Sequence, residues 1–250
     1  MGDFPYDTYV FDLYGTLADI WTDEESPRLW AAFSWDLRLR GAQWAPKELK
    51  EAWRRLCAES LAEKEAALKR KGLEGPGEAD IHQVFRRLGA LRGVRMSQRE
   101  TDDLARHFRA LSLRRLRLYP GAKELLAALR GAGKRVILLT NAQSAFTVPE
   151  LRCLGIGELF DHILISSDFG AKKPSPAFFA SLSDCGVEAD RAVMIGNDDE
   201  SDCRGAARFG MDSLYLQTAQ SPPLSGSLPE NCRRIPSLSA LLLHEKGLIH

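Results

Sequence analysis

The spacing of apolar positions changes twice along the chain and divides it into three parts. The chain opens with the apolar run Thr8-Tyr9-Val10-Phe11, and a short run of this kind is typical of a buried strand. From about residue 18 to residue 115, apolar residues recur at helical spacing, as Leu49, Trp53 and Leu56 do. This middle part is predicted to contain helices alone.

From about residue 116 the pattern alternates between unbroken apolar runs and amphipathic segments. The runs lie at residues 135–140, 162–166, 192–196 and 213–216, and the last of them is predicted to be the final strand. Such runs between helices are typical of a parallel sheet that is covered on both faces. The segment Thr147-Val148-Pro149-Glu150 predicts the start of one covering helix.

Together the three parts predict an α/β fold. The expected core is a Rossmann-like, three-layer unit with a parallel sheet, formed by residues 1–17 and 116–250, and the expected insertion is an all-helical cap formed by residues 18–115. An insertion directly after the first strand would lie over the carboxyl edge of the sheet, where ligands of open α/β sheets bind. A cap in that position is suited to excluding water and selecting the substrate.

Composition and charge disfavour several classes of protein. Hydrophobic residues make up 44% of the 250-residue chain and charged residues 27%, which is ordinary for a globular protein, and the formal net charge is zero. A neutral chain gives no support to nucleic acid or an anionic membrane as a partner, and no apolar run approaches the ~20 residues of a membrane helix. Five scattered cysteines without a CxxC motif, and the lack of a signal pattern in Met1–Pro5, predict a cytoplasmic protein with reduced thiols. No pattern in the sequence indicates an oligomeric state.

Polar side chains stand where four of the predicted strands end. They are Asp12 and Tyr14, Thr140 and Asn141, Ser166 and Asp168, and Asn197 and Asp198, and Lys173 lies in the loop after the third of these strands. Because the carboxyl ends of parallel strands meet at one edge of a sheet, we expect these groups to converge. Clustered carboxylates need a cation, which Lys173 and a divalent metal would supply, and oxygen ligands favour Mg²⁺.

Each of these groups, taken alone, has a more ordinary interpretation. The acidic run from Asn197 to Asp202 is typical of a helix N-terminus, where the helix dipole favours negative charge. Thr140 and Asn141 are typical of a turn, and a single lysine such as Lys173 most often lies at the surface. The arrival of all the groups in order, at the strand ends of an alternating pattern, is what favours a shared site.

The four groups resemble the motifs of the haloacid dehalogenase (HAD) superfamily of hydrolases, and the resemblance covers the whole chain. The first motif, a strand followed by Asp-x-Asp-x-Thr or a variant, is matched by Asp12-Leu13-Tyr14-Gly15-Thr16. The second is matched by Thr140 with Asn141, the third by Lys173-Pro174, and the fourth by Gly196-Asn197-Asp198 with Asp202. The predicted helical insertion is similar to the cap that this superfamily carries after the first motif.

The resemblance implies a covalent mechanism on a small, phosphorylated substrate. Asp12 would attack phosphorus to form an acyl phosphate, which water would then hydrolyse. Mg²⁺ would be held by Asp12, by the backbone carbonyl of Tyr14 and by an oxygen of Asn197 or Asp198, and it would shield the approach of one anion to another.

The resemblance also implies the residues that would hold the transferring group. Thr140 and the backbone amide of Asn141 would donate hydrogen bonds to it. Lys173, oriented by Asp202, would neutralise the charge that develops there. Gly15 and Thr16 of the first motif complete the residues expected to contact the substrate.

Two positions depart from the superfamily pattern. Tyr14 stands where the phosphatases usually carry a second Asp as general acid and base, and a phenol with a reference pKa of ~10 is poorly suited to that role near neutral pH. The loss of that general acid should matter most for substrates with poor leaving groups, such as alkoxides. Asn197 stands where an Asp is usual, and Asp198 or Asp199 would have to compensate for the weaker ligand.

The Asp-x-Tyr-Gly-Thr form also resembles the 2-haloacid dehalogenase branch, in which Asp displaces halide from carbon without a metal. That branch uses a cap Arg and an Asn three residues before the final Asp. Here the latter position is Asp199, and the surroundings of Arg38 and Arg40 do not match the branch. The acidic cluster therefore favours a phosphate-directed, cation-binding site over dehalogenation.

A third interpretation is a binding protein that keeps the fold after losing the acid–base Asp. Such a protein would bind Mg²⁺ and phosphate analogues without turning over a substrate. The presence of Asp12, Thr140 and Lys173 argues against complete loss of catalysis, because the nucleophile and the residues expected to hold phosphate are all in place.

Overall fold

The computed structural model of the protein describes residues 5–245, and their side chains up to residue 243. Residues Met1–Phe4, on which most of the prediction of no signal pattern depends, lie outside the described residues. The strands are β1 (Thr8–Phe11), β2 (Ala18–Thr22), β3 (Leu113–Leu118), β4 (Arg135–Thr140), β5 (His162–Ile165), β6 (Ala192–Gly196), β7 (Asp212–Leu216) and β8 (Cys232–Ile235).

The helices are α1 (Pro27–Leu39), α2 (Pro46–Arg70), α3 (Ile81–Ala90), α4 (Gln98–Ser112), α5 (Ala122–Gly131), α6 (Ser144–Leu154), α7 (Ser166–Phe169), α8 (Pro176–Asp184), α9 (Gly205–Phe209) and α10 (Leu238–Glu245). A π-helical turn, Asp199–Arg204, leads into α9.

Six parallel strands form the central sheet in the order β5-β4-β1-β6-β7-β8. Side chains alternate across β1, so that Tyr9 and Phe11 pack into the apolar cluster on one face and Val10 into the cluster on the other. All four residues of β1 are buried. The predicted sheet with both faces covered is confirmed, and β1 lies at its centre.

The register of β1 aligns the ends of three strands. Phe11 lies opposite Leu138 of β4 and opposite Ile195 of β6. Since the strands run parallel, the residues that follow Phe11, Leu138 and Ile195 emerge at the same edge of the sheet. Asp12, Thr140 and Asn197 are therefore brought together by the sheet itself.

The helices α1–α4 form an insertion between β2 and β3, which we call the helical insertion. Its apolar cluster is separate from the two clusters of the sheet and is rich in aromatic rings, among them Phe33, Trp53, Phe85 and Phe108. α4 begins with a capping box, in which the Ser97 side chain accepts from the Glu100 N–H and the Glu100 side chain accepts from the Ser97 N–H.

The expectation of helices alone over residues 18–115 is wrong at both ends. β2 and β3 pair antiparallel as a ribbon that joins the helical insertion to the core, with Ala18 opposite Leu118. Arg and Leu are good helix formers, so the local sequence of β3 favours a helix. Pairing with β2 decides the outcome, and Arg115 and Arg117 of β3 reach Asp19 of β2 at 2.8 and 2.9 Å.

Two elements of the core also differ from the prediction. β8 adds a strand beyond β7, with Ser213 opposite Cys232. Its sequence, Cys-Arg-Arg-Ile, is that of an edge strand and lacks the apolar run that marks a central one. α6 begins at Ser144 rather than at Thr147, and Pro149 lies inside it, so this proline is not the helix-start signal it resembles.

Among residues 5–245, none of the helices combines the length and the apolar character that a membrane-spanning segment requires.

Candidate active site

Asp12 follows β1, and its carboxylate is held by three side-chain donors. Oδ1 accepts hydrogen bonds from Thr140 Oγ1 at 3.2 Å and from Lys173 Nζ at 2.9 Å. Oδ2 accepts one from Thr16 Oγ1 at 3.1 Å. A buried carboxylate is costly unless it is paired and hydrogen-bonded, and these donors together meet that requirement for Asp12, which is 7% exposed.

Lys173 lies between two carboxylates. Its Nζ is 2.9 Å from Asp12 Oδ1 and 2.6 Å from Asp202 Oδ1, and its side chain is 1% exposed. Burial by itself lowers the pKa of Lys173, but the two carboxylates outweigh burial and raise that pKa above the ordinary value. The ammonium is therefore charged when a substrate arrives. Burial raises the pKa of Asp202, and the charge of Lys173 opposes that rise.

Gly15 allows the first and fourth motifs to approach each other. Its φ of +86° lies in the left-handed region, and a Cβ on it would overlap the side chain of Asn197. The Thr16 hydroxyl lies 3.1 Å from Asp12 Oδ2 and 3.2 Å from Asn197 Oδ1. The turn thus brings an amide oxygen of Asn197 to the same hydroxyl as the carboxylate of Asp12.

The side chain of Asn141 supports the site rather than facing a substrate. Its Nδ2 donates to the Lys173 carbonyl at 3.0 Å, and its Oδ1 accepts from the Lys173 N–H at 2.8 Å. This pair of hydrogen bonds fixes the backbone from which the Lys173 ammonium extends. A substrate contact through the backbone amide of Asn141 stays a prediction.

The acidic residues after β6 do not converge as the sequence suggested. Asp198 Oδ1 accepts from the N–H groups of Glu200 and Ser201 at 3.0 and 3.1 Å and so caps the π-helical turn. Both carboxylate oxygens of Asp199 accept hydrogen bonds from Ser225, so compensation for Asn197 by Asp199 is not supported. Glu200 pairs with Arg208 at 3.0 Å. Only Asp202 of this run reaches Lys173.

The phenol of Tyr14 is turned towards α6. Its oxygen lies 3.0 Å from Thr147 Oγ1, and it donates a short hydrogen bond to Glu150 Oε2. Burial, followed by the negative charge of Glu150, raises the pKa of Tyr14 beyond the range in which it could exchange a proton near neutral pH. Neither Thr147 nor Glu150 could be predicted as part of the site, because their helix begins at Ser144, far beyond Tyr14 in the chain, and carries no motif.

The oxygens near Asp12 are of the kind that Mg²⁺ takes. Within residues 5–245, no group of three or more His, Cys, Asp or Glu side chains converges as a metal site, so an ion would also need neutral oxygen donors. The carboxylate of Asp12 and the amide oxygen of Asn197 lie beside the same hydroxyl, and both are oxygen donors of the required kind. Mg²⁺ binds through few protein oxygens and keeps several waters, so this donor set fits it.

Comparison with known families decides the broad identity. The family model described as haloacid dehalogenase-like hydrolase matches residues 6–210, a stretch that contains Asp12, Thr140, Lys173 and Asp202. The chain belongs to this family. The resemblance drawn from the four motifs is thereby confirmed, and this haloacid dehalogenase-like hydrolase can be compared with relatives of assigned activity.

Two curated relatives of the hydrolase are phosphatases by name. The phosphoglycolate phosphatase of Nitrosococcus oceani is 29% identical over 214 residues, which are 83% of this chain and 82% of that protein. The glyceraldehyde 3-phosphate phosphatase of Pyrococcus abyssi is 34% identical over 103 residues, which are 41% of this chain and 43% of that protein. This match and others like it span about half the length of the relative.

Solved structures confirm the fold of the hydrolase. A 2-haloacid dehalogenase from Pseudomonas syringae pv. Tomato DC3000 superposes with a TM-score of 0.60 and 23% identity, over 95% of this chain and 96% of that one. At this identity the likeness shows the fold alone. It is the α/β fold with a parallel sheet that the sequence predicts.

Proposed function

We propose that this hydrolase is a Mg²⁺-dependent phosphatase of small phosphorylated metabolites and that Asp12 is its covalent nucleophile. The observation that carries the proposal is the Asp12 carboxylate at the centre of the sheet edge, hydrogen-bonded by Thr16, Thr140 and Lys173. A charged lysine with a second carboxylate behind it is suited to stabilising a transferring phosphoryl group. The phosphatase names of two relatives support the same reaction class.

The proposed reaction proceeds in two displacements. A carboxylate oxygen of Asp12 attacks phosphorus, the bond to the leaving group breaks, and an acyl phosphate forms on Asp12. Water then attacks this phosphorus, the bond to Asp12 breaks to restore its carboxylate, and inorganic phosphate leaves with the oxygen and both protons of the water. Thr140 and Lys173, which contact the same oxygen of Asp12 in the free protein, are placed to donate to the phosphoryl oxygens.

Asp12, the Tyr14 carbonyl and Asn197 or Asp198 would hold Mg²⁺, which supplies charge neutralisation between the anionic nucleophile and the anionic substrate. Asn197 contributes no negative charge, so we expect weaker metal binding than at a site with two carboxylate ligands.

The orientation of Tyr14 bears on the class of substrate. Its hydroxyl donates to Glu150 and has no acidic proton to give to a departing alkoxide. We therefore expect acyl and aryl phosphates, whose leaving groups need no protonation, to react faster than alkyl phosphates.

Phosphate release from acetyl phosphate and from p-nitrophenyl phosphate tests the proposal. Each is assayed with Mg²⁺ and with chelator, using the wild type, Asp12→Asn and a matched control, Asp190→Asn, at an exposed position. We expect Mg²⁺-dependent turnover by the wild type and by Asp190→Asn, and no turnover by Asp12→Asn. Absence of turnover by the wild type on both substrates would contradict the proposal.

Metal-independent dehalogenation is the second candidate. Two observations favour it: Asn197 is neutral, and Asp199 and Glu200 pair with Ser225 and Arg208 instead of facing Asp12. Chloride release from 2-chloropropionate in the presence of chelator would support it. If neither reaction occurs while Mg²⁺ and phosphate bind, the protein has kept only the binding role.

A further inference from the structure

We propose that Arg109 and Glu150 are positioning residues that fix the helical insertion against the turn carrying Asp12, through the phenol of Tyr14. The inference rests on the proposed function, since it concerns the placement of that nucleophile. Tyr14, which occupies the usual acid–base position of the family, would serve as the anchor between the insertion and the turn.

The first link joins the nucleophile turn to a core helix. Tyr14 lies two residues after Asp12, and its hydroxyl donates to Glu150 Oε2 of α6. Thr147, one turn earlier on α6, lies 3.0 Å from the same phenol oxygen. Because the phenol donates to Glu150, the Thr147 hydroxyl is the donor to the phenol oxygen. Two residues of one helix face thus fix the direction of the Tyr14 side chain.

The second link joins that core helix to the helical insertion. Arg109 Nε of α4 donates to Glu150 Oε1 at 2.5 Å, and the two side chains are 15% and 5% exposed. Burial by itself lowers the pKa of Arg109, but Glu150 outweighs burial and raises it. Both oxygens of Glu150 are therefore occupied, one by the insertion and one by the residue near the nucleophile.

Apolar contacts hold α4 and α6 together, and the ion pair specifies how they meet. The rings of Phe108 and Phe146 stack at 6.2 Å with 18° between their planes. The Arg109 guanidinium lies 4.8 Å from the centre of the Phe146 ring. Stacked rings can slide over each other at little cost, whereas each charge of a buried ion pair loses the partner that offsets its desolvation if either residue moves. Arg109 and Glu150 therefore define the register of the contact.

A displacement of the helical insertion would change the surroundings of Tyr14. If Arg109 withdrew, Glu150 would remain a buried carboxylate with only neutral hydrogen-bond donors, and it would have to find water or a proton. Either response alters the hydrogen bond that orients Tyr14, two residues from Asp12. The position of the insertion and the geometry of the nucleophile turn are thus coupled.

Arg109→Met tests the coupling, because it keeps a long apolar side chain and removes the cation. Arg106→Met is the matched control, since Arg106 is on the same helix and is 53% exposed in its ion pair with Asp103. We expect kcat/KM for acetyl phosphate to fall about 10-fold to 100-fold in Arg109→Met, to stay near the wild-type value in Arg106→Met, and to recover partly in Arg109→Lys. In the double variant Arg109→Met/Glu150→Gln we expect a smaller loss than in Arg109→Met, because the uncompensated carboxylate is gone.

Amide hydrogen exchange supplies a readout that needs no substrate and no activity. We expect faster exchange in the turn at residues 12–17 and in α6 of Arg109→Met than of Arg106→Met, well below the unfolding temperature of both. Equal exchange in the two variants would overturn the coupling. Turnover by the wild type with unchanged kcat and KM in Arg109→Met would overturn the positioning role and leave the proposed function standing, whereas inactivity of the wild type would count only against the proposed function.

Discussion

The ammonium of Lys173 separates two buried carboxylates that would otherwise face each other. Replacing it with Met leaves Asp12 and Asp202 without their common counter-charge. We expect Lys173→Met to abolish phosphate release and to lower the free energy of unfolding by about 3–5 kcal/mol, as breaking a buried pair does. Urea unfolding measures the second effect, and Lys172→Met, at the neighbouring half-buried position, is the control. Unfolding energies that agree within about 1 kcal/mol for the two variants would contradict this account.

Tyr14→Phe distinguishes an anchoring phenol from a catalytic one. The substitution removes the hydroxyl but leaves the ion pair between Arg109 and Glu150. We expect kcat for acetyl phosphate to fall about 10-fold, as at the low end of the range for Arg109→Met, because the link from Glu150 to the nucleophile turn is lost. Loss of a true general acid or base costs about 10²–10⁴-fold, so a fall of that size would show that the phenol exchanges a proton during turnover.

Tyr14→Asp introduces the acid that phosphatases of this family usually carry, and Glu150 is what should prevent it from working. The new carboxylate would lie near the buried carboxylate of Glu150 and repel it. We expect no gain on an alkyl phosphate such as glycerol phosphate from Tyr14→Asp alone. Addition of Glu150→Gln should raise that activity above the single variant, and phosphate release measures both. Equal activity of the two variants would contradict the repulsion.

Among the single residues of the candidate site, those at strand ends could be predicted from the sequence, and those on helices could not. Asp12, Thr140 and Lys173 could be predicted to meet, because a parallel sheet collects its strand ends at one edge. Glu150 and Arg109 could not, because nothing in the local sequence says which face of a helix meets a turn formed more than ninety residues earlier. Asp199 shows the converse, since its place in an acidic run suggested the site and its partner is Ser225.

Among the elements, the segment between α2 and α3 makes a second contact between the helical insertion and the core. Glu78 of this segment accepts hydrogen bonds from Gln143 Nε2 at 2.9 Å and from Ser166 Oγ at 2.8 Å. Gln143 lies two residues after Asn141, and Ser166 follows β5 directly. Glu78 therefore contacts the segment after β4 that carries the second motif and the start of α7, which precedes the third motif.

The pH dependence of stability should report on this contact. Burial raises the pKa of Glu78 above its usual value of 4.5, although Ser166, Lys172 and Gln143 oppose the rise. The folded state then binds the proton more tightly than the unfolded state, so stability is lost as the pH rises from about 4.5 through the raised pKa. The Gln side chain of Glu78→Gln cannot ionise. As the pH rises over this range, we therefore expect the free energy of unfolding of Glu78→Gln to increase relative to that of the wild type. A difference that stays constant between about pH 4 and about pH 8 would contradict this.

The elements that the sequence missed are those that depend on a distant partner. β3 is built from Leu and Arg, which favour a helix locally, and becomes a strand by pairing with β2 some ninety residues earlier. β8 is a short edge strand with two arginines, which keeps no apolar run for a pattern to detect. The central strands were predictable because both of their faces are buried and their sequences are apolar throughout.

On the scale of the whole molecule, the buried apolar residues divide into the cluster of the helical insertion and the two clusters of the sheet. The aromatic cluster of the helical insertion and the two apolar clusters of the sheet share no buried residue. They are joined by the ribbon of β2 and β3, by α6, whose Phe146 packs into the cluster of the insertion, and by the segment that carries Glu78. We expect a ligand bound at the sheet edge to stabilise the core that carries Asp12 and, through these contacts, the helical insertion.

Stabilisation by ligand can therefore decide between the two candidate reactions without requiring turnover. A ligand at 100 times its Kd stabilises the folded state by about 2.7 kcal/mol, and for a chain of this size each kcal/mol raises Tm by about 2–4 °C. If Asp12 and Asn197 hold Mg²⁺, inorganic phosphate should raise the Tm of the wild type only when Mg²⁺ is present, because the metal offsets the repulsion between phosphate and Asp12. Addition of Mg²⁺ and phosphate should not raise the Tm of Lys173→Met, which lacks the cation that faces Asp12. A shift that is unchanged by chelator would contradict the metal requirement, and a shift produced by chloride or 2-chloropropionate in chelator would favour attack on carbon instead.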